Sequence, residues 1–245
     1  MYKNYVFDFY GTLADIRTDE KKQEVWEKLC LFYGYYGAVY TPEEMKKNYN
    51  RMTECKAESL YSHEAYPEIQ IETVFRELFE TKGVQADDLL VLHAGQFFRV
   101  LTTEYIRLYE GVERMLKQLQ EQGKKIYLLS NAQRIFTEYE LHMLGIAQYF
   151  DGILISSDYG VKKPDRRFFE ILLEKYQLNP GECIMIGNDG ETDIAGASRV
   201  GMDTCYIHSN ISPEKDEKVN ATYVQSEMDI GKVCRMLGIQ GEKER

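Results

Sequence analysis

Five short apolar runs, set out along the chain between helical patterns, limit what this sequence can fold into more than any other feature. They are Tyr5-Val6-Phe7, Ile126-Tyr127-Leu128-Leu129, Gly152 to Ser156, Cys183-Ile184-Met185-Ile186 and Thr204-Cys205-Tyr206-Ile207. Runs of this length without polar alternation fit strands buried on both faces. From Gly111 onward they alternate with helices. Val112 to Gln122 closes on Gly123 as a C-terminal glycine, and another helix follows Pro164. Such alternation implies a parallel sheet with right-handed crossovers, an α/β, Rossmann-like core.

Between the first run and the second the pattern changes. From about Thr18 to Tyr105 the chain reads as helical throughout. Val25, Leu29, Phe32 and Tyr36 recur as one apolar helix face. Thr41-Pro42-Glu43-Glu44 is a capping box with proline at the first helical position. Tyr66-Pro67 marks a break. Ile71, Val74, Phe75 and Leu78 form a stripe closed by Gly83, and a further helix is expected from about Asp88 to Tyr105. The expected organisation is a core of residues 1–14 plus 106–245, carrying an all-helical cap of residues 15–105 inserted after the first strand. Two linkers, near Ala14–Thr18 and Tyr105–Gly111, would let the cap open and close over the strand ends. The tyrosines around Gly34 and Gly37 (Tyr33, Tyr35, Tyr36, Tyr40) read first as cap packing, and the charged Glu242–Arg245 as a fraying tail.

Composition excludes several functions. Lys plus Arg is 30 against 40 Asp plus Glu, a net charge of −10, which argues against nucleic acid as a partner. Any anion site must therefore be local. No run of 18 apolar residues exists, so no membrane span is expected. Five cysteines without CxxC spacing, and an N-terminus without an apolar leader, read as reduced thiols in a cytoplasmic protein. His63, His93, His142 and His208 show no ligand spacing and receive no role.

In an open parallel sheet, ligands sit at the carboxyl ends of the strands. Four segments place polar groups there: Asp8, Ser130-Asn131, Lys163, and Asn188-Asp189 with Asp193. Together they supply a carboxylate, a hydroxyl, a lysine and an acid cluster, a full set for nucleophilic attack on an anion.

Asp8-Phe9-Tyr10-Gly11-Thr12-Leu13 resembles the first motif of the haloacid dehalogenase superfamily. Leu129-Ser130-Asn131 matches the second, Lys163-Pro164-Asp165 the third, and Ile186 through Asp193 the fourth; the helical insert resembles the family's type-one cap. The resemblance implies a hydrolase in which Asp8 attacks the substrate and forms a covalent aspartyl intermediate. Gly11 would let the backbone close on the substrate. The Thr12 and Ser130 hydroxyls and the Asn131 backbone N–H would hold the anion, and Lys163 would neutralise the transferring group, with Lys162 a solvated neighbour. Three carboxylates within five residues, Asp189, Glu191 and Asp193, call for a cation. Mg2+ fits such oxygen donors, with Asp8, the Tyr10 carbonyl, Asp189 and Asp193 as the expected ligands and Glu191 a solvated face residue.

Two departures bear on the chemistry. Asn188 stands where many family phosphatases place the first acid of the fourth motif, and Asp189 fits a ligand shifted by one. Tyr10 stands where they place a general acid, and a phenol of pKa about 10 is a weak substitute. Dehalogenases of the family also carry tyrosine there, because a halide leaves without a proton. They also use a cap arginine, absent between Thr18 and Asn50 although Arg17 and Arg51 flank that stretch, and a tyrosine where this chain has Phe169. The expected activity is a Mg2+-dependent phosphohydrolase acting on a small phosphorylated metabolite. The alternatives are a metal-free 2-haloacid dehalogenase and a low-turnover binder of a phosphorylated ligand. Oligomeric state is not legible.

Overall fold

The computed structural model describes residues 2–61, 65–213 and 219–239; His63 and the Glu242–Arg245 tail lie outside them. The elements run β1 (Asn4–Phe7), β2 (Ala14–Thr18), α1 (Gln23–Tyr35), α2 (Pro42–Tyr61), α3 (Glu72–Glu80), α4 (Asp88–Thr102), β3 (Thr103–Leu108), α5 (Val112–Glu121), β4 (Lys125–Ser130), α6 (Arg134–Met143), β5 (Gly152–Ile155), α7 (Arg166–Lys175) and β6 (Cys183–Gly187). A π-helical turn, Gly190–Ala195, leads into the short α8 (Gly196–Ser198), followed by β7 (Asp203–Ile207), β8 (Tyr223–Gln225) and α9 (Ile230–Leu237).

The sheet order is β5-β4-β1-β6-β7-β8, with every pairing parallel. β1 is central, so the residue leaving it is flanked by the ends of β4 and β6. The two-residue period of a strand divides the core into two layers. Tyr5, Phe7, Ile126, Leu128, Ile184 and Ile186 face α5 and α9. Val6, Tyr127, Leu129, Cys183 and Met185 face α7. The α5 stripe Val112, Met115, Leu116, Leu119 is wholly buried; each such side chain contributes roughly 1.5–3 kcal/mol.

The cap is the four helices α1 to α4. Thr41 accepts from the Glu44 amide (3.2 Å) at the start of α2, and Asp87 from the Leu90 amide (2.8 Å) at the start of α4. The buried face of α1 is Val25, Trp26, Leu29 and Tyr33. It differs from the expected Phe32 and Tyr36 because the helix stops at Tyr35 and Tyr33 stacks on Phe79, ring centroids 4.0 Å apart. Tyr33 and Tyr40 are cap core; Tyr35 and Tyr36 are exposed.

The two linkers are not loops. β2 and β3 pair antiparallel, with Asp15 opposite Arg107, and α4 stops at Thr102 because the chain turns extended there. Asp15 accepts from Arg107 (2.8 Å) and Asn210 (2.9 Å). The cap core is also continuous with the α/β unit. Ile135 of α6 is buried in the cap cluster, and a Cβ on Gly95 of α4 would come within 3.2 Å of the Ile135 side chain. Between α2 and α3 the chain bonds to the core: Lys162 N–H to Tyr66 O, Glu68 N–H to Gly160 O, and Ile71 N–H to the Gln133 side chain. Among the described residues no helix is long and apolar enough to cross a membrane.

Candidate active site

Asp8 is the first residue past β1. Its amide still bonds to Ile186 O (3.0 Å), so it leaves the sheet beside the end of β6. The next residues form a closed turn in which Phe9 O accepts from the Thr12, Leu13 and Ala14 amides. Gly11 makes this turn possible. Its φ is +84°, and a Cβ there would lie 2.7 Å from Asn188 Cγ and 2.8 Å from its Oδ1. In that space Asn188, 5% exposed, takes the Thr12 hydroxyl proton at 3.1 Å.

Lys163 is the centre of the site. Its ammonium, 2% exposed, donates to Asp8 Oδ1 at 2.7 Å and to Asp193 Oδ1 at 2.6 Å. Asn131 fixes its backbone from both sides, donating to Lys163 O (2.9 Å) and accepting from Lys163 N–H (2.8 Å). Burial works against the lysine's charge, but Asp193 and Asp8 outweigh it and hold its pKa above the ordinary value. Burial pushes Asp193 the other way, above the usual carboxylate range, with Asp8 adding to the rise and Lys163 opposing it. The bond lengths are those of charge-assisted pairs, so we read the triad as one ammonium between two carboxylates. Ser130, at the end of β4, has a buried hydroxyl without a hydrogen-bond partner among the described residues. An orphan donor at the end of β4, the strand next to β1, suits an incoming anion's oxygen.

The fourth segment divides its acids. The wide turn of Gly190–Ala195 swings Asp193 back under β6, where its Oδ2 accepts the Asp189 amide at 3.0 Å. Asp189 instead caps that turn, its Oδ1 accepting from the Glu191 and Thr192 amides at 2.9 Å. Glu191 is exposed. Lys162 lies outside the triad. Among the described residues no group of three or more His, Cys, Asp or Glu side chains converges as a metal centre. Asp8 Oδ2 is outside the lysine pair, and the Asn188 amide oxygen lies at the Gly11 turn that follows Asp8. Oxygen-only donors with one carboxylate fit a hard cation that keeps much of its water.

Tyr10 turns away from the triad. Its phenol donates to Glu140 Oε2 at 2.5 Å and lies 2.9 Å from the Thr137 hydroxyl. Burial and the nearby Glu140 carboxylate raise its pKa far above the ordinary phenol value, with Arg99 opposing. Glu140 and Arg99 are functional-site neighbours that the sequence reading missed. The available signal was a charge on an otherwise apolar helix face, next to Phe98 in α4 and Leu141 in α6.

The sequence profile of the haloacid dehalogenase-like hydrolases matches residues 2–201. The chain belongs to that family. The phosphoserine phosphatase of Thermus thermophilus is 31% identical over 60% of this chain, a match spanning 57% of that protein's length. The glyceraldehyde 3-phosphate phosphatase of Methanopyrus kandleri is 28% identical, over 82% of this chain and 93% of its own. In structure, the magnesium-bound HAD-hydrolase YfnB of Bacillus subtilis superposes with a TM-score of 0.57 at 21% identity, covering 97% of this chain and 99% of its own. At that identity the likeness shows the fold. With the family established, this chain is a hydrolase with an α/β core and a helical cap.

Proposed function

We propose that this hydrolase is a Mg2+-dependent phosphohydrolase of small phosphorylated metabolites, working through an aspartyl-phosphate on Asp8. The observation that carries the reading is the buried Lys163 ammonium bonded at once to Asp8 and Asp193, with the orphan Ser130 hydroxyl at the end of the neighbouring strand. Asp8 Oδ1 is held in line by Lys163, and Oδ2 is outside that pair. Ser130, the Thr12 hydroxyl and the Asn131 backbone N–H would receive the phosphoryl oxygens, while Lys163 offsets their charge. Mg2+ would be held by Asp8, the Tyr10 carbonyl and the Asn188 oxygen. Asp193 would join through water, and Asp189 would have to give up its cap to ligate. The cation's contribution is neutralisation of the phosphoryl oxygens. The helical cap, residues 15–105, would exclude water before attack.

Phosphatases among the curated relatives support this reading, as does the magnesium in YfnB's crystals. Of the arginines in the cap region, Arg99 is paired with Glu140 (2.6 Å) and Arg17 with Glu104 (2.9 Å), whereas Arg51 has, among the described residues, only the neutral Asn48 side chain at 3.5 Å.

The deciding experiment compares leaving groups. Without a carboxylic acid two residues after Asp8, and with the Tyr10 phenol committed to Glu140, aryl and acyl phosphates should be hydrolysed at least about 10²-fold faster than alkyl phosphates, the low end for general acid catalysis. Equal rates would mean another group supplies the proton. Chloride release from a 2-chloroacid that persists in EDTA, without phosphate release from any ester, would replace this reading with the dehalogenase.

A further inference from the structure

We propose that Glu140 is a positioning residue that ties the nucleophile loop to the cap, so that the seating of the cap sets the placement of Asp8. Glu140 is 7% exposed on α6, a costly place for a carboxylate unless it is paired. Its two oxygens serve two elements. Oε1 takes Arg99 Nε of cap helix α4 at 2.6 Å, and Oε2 takes the Tyr10 phenol at 2.5 Å. The Arg99 guanidinium also lies over the Tyr10 ring, 5.5 Å from its centroid, and over Phe136 at 5.2 Å. Thr137, one turn back on the same face of α6, reaches the same phenol. Three elements therefore meet on one carboxylate.

The consequence follows from the loop's construction. Phe9 O gathers three amides and Gly11 N–H bonds to Ala14 O at 2.8 Å, so residues 9–14 move as a unit. The Tyr10 ring is the handle on that unit, and Asp8 is two residues away. Displacement of a reacting group by about 1 Å costs on the order of 10²-fold in rate. A cap that lifts takes Arg99 with it, leaves Glu140 buried with half its partners, and loosens the loop. The effect on rate rests on Asp8 being the nucleophile; the mechanical link does not.

Glu140→Gln, Tyr10→Phe and the double variant test this. In hydrolysis of p-nitrophenyl phosphate each single variant should lower kcat by about 10- to 100-fold with KM within about threefold. The double should be no worse than the poorer single, because both cut one link. Arg99→Lys keeps the charge but not the fork, and should retain an intermediate rate. Amide hydrogen exchange needs no turnover: the Gly11, Leu13 and Ala14 amides should exchange faster in both singles while β4 and α7 keep their protection. Multiplicative losses in the double, an unchanged loop, or a rise spread evenly through the sheet would each overturn the proposal. If the wild type hydrolyses no phosphate ester, the phosphohydrolase reading fails by itself and exchange still decides this one.

Discussion

One methyl group at Gly187 should disable the site from behind. Gly187 ends β6, and a Cβ there would fall inside contact distance of the Cβ, Cγ and Oδ2 of Asp193. Because the clash includes Asp193 Cβ, no rotamer relieves it; the carboxylate has to move about 1 Å to restore ordinary carbon contact near 3.5 Å. Asp193 and Lys163 are each 1% exposed in their side chains, so solvent does not screen the pair. Lengthening the 2.6 Å Lys163–Asp193 bond by that amount costs about 2 kcal/mol at an effective dielectric of about 20. Loss of the Asp189 N–H bond to Oδ2 adds about 1 kcal/mol. Gly187→Ala should therefore lose about 3 kcal/mol, lowering the melting temperature by roughly 6–12 °C for a chain of this size. Turnover of an aryl phosphate should fall about 10²-fold. Gly181→Ala is the control, since its Cβ would find nothing nearer than Asn179 Oδ1 at 3.6 Å. Thermal melts by circular dichroism and steady-state kinetics decide the matter. A Gly187→Ala protein within 1–2 °C of wild type and within about twofold in kcat would show that Asp193 has room to spare, and the reasoning from close approach would be wrong.

Asp8→Asn keeps an oxygen for Lys163 but is no nucleophile, so aryl phosphate turnover should drop at least about 10³-fold while the fold persists; residual activity near wild type would remove Asp8 from the mechanism. EDTA should stop turnover and Mg2+ restore it, and Mg2+ at about a hundred times its Kd should stabilise the protein by about 2.7 kcal/mol; activity indifferent to EDTA would sink the metal. Burial raises the pKa of Glu68, with hydrogen bonds from Ser156, Ile69 and Gln133 and the charge of Lys162 only partly offsetting it. The native state then holds that proton to higher pH than the unfolded chain, and wild type loses stability as pH rises from about 4.3 through the folded pKa. Glu68→Gln escapes this loss, and the Ser156 hydroxyl keeps Ala132 O (3.1 Å) as an acceptor. Its melting temperature relative to wild type should climb as pH rises from about 4.3 through the folded pKa and then level off; a difference independent of pH would contradict the shift.

Sequence periodicity carried the α/β core because each strand there is buried on both sides and each helix shows one apolar face. It failed where burial is one-sided and the segment short. β2 and β3 are five and six residues with mostly solvated outer halves, so Ala14–Thr18 read as a linker, Thr103–Tyr105 as the tail of a helix and the residues after Tyr105 as the second linker. β8 is three residues at the sheet edge, too short to register. At the site, Asp8 was legible because it is the first residue past β1 and Ser130 because it ends β4, while Lys163 lies beyond β5 and is fixed by Asn131. The direction of Asp189 was not legible, since proximity in sequence says nothing about direction. Four residues from Asp193, it spends its carboxylate on the first amides of the π-helical turn. The link through Glu140 was hidden for a different reason: its partners stand 41 and 130 positions away, and only the packed α4–α6 seam brings them together.

The neutral side chain at 188 then acquires a physical reading. Asp8, Asp189, Asp193 and Lys163 sum to −2, and an aspartate at 188, beside the Gly11 turn, would make the site −3 before any substrate arrived. The chain as a whole carries −10, but beyond the Debye length of about 8 Å that charge is screened, so the near charges decide whether a phosphate dianion can enter. With Asn188, one divalent cation would bring the site to 0; with aspartate it would reach only −1. The amide also donates toward Ser212 (3.4 Å), and it accepts the Thr12 proton, so a carboxylate would lose the first contact while gaining affinity for the metal. On the proposed reading Asn188 would exchange grip on the cation for attraction to the anion. Asn188→Asp should accordingly tighten Mg2+ binding, read by calorimetric titration, while raising KM for a phosphate ester. Tighter metal with unchanged KM would mean that screening inside the closed cap is stronger than this charge count assumes.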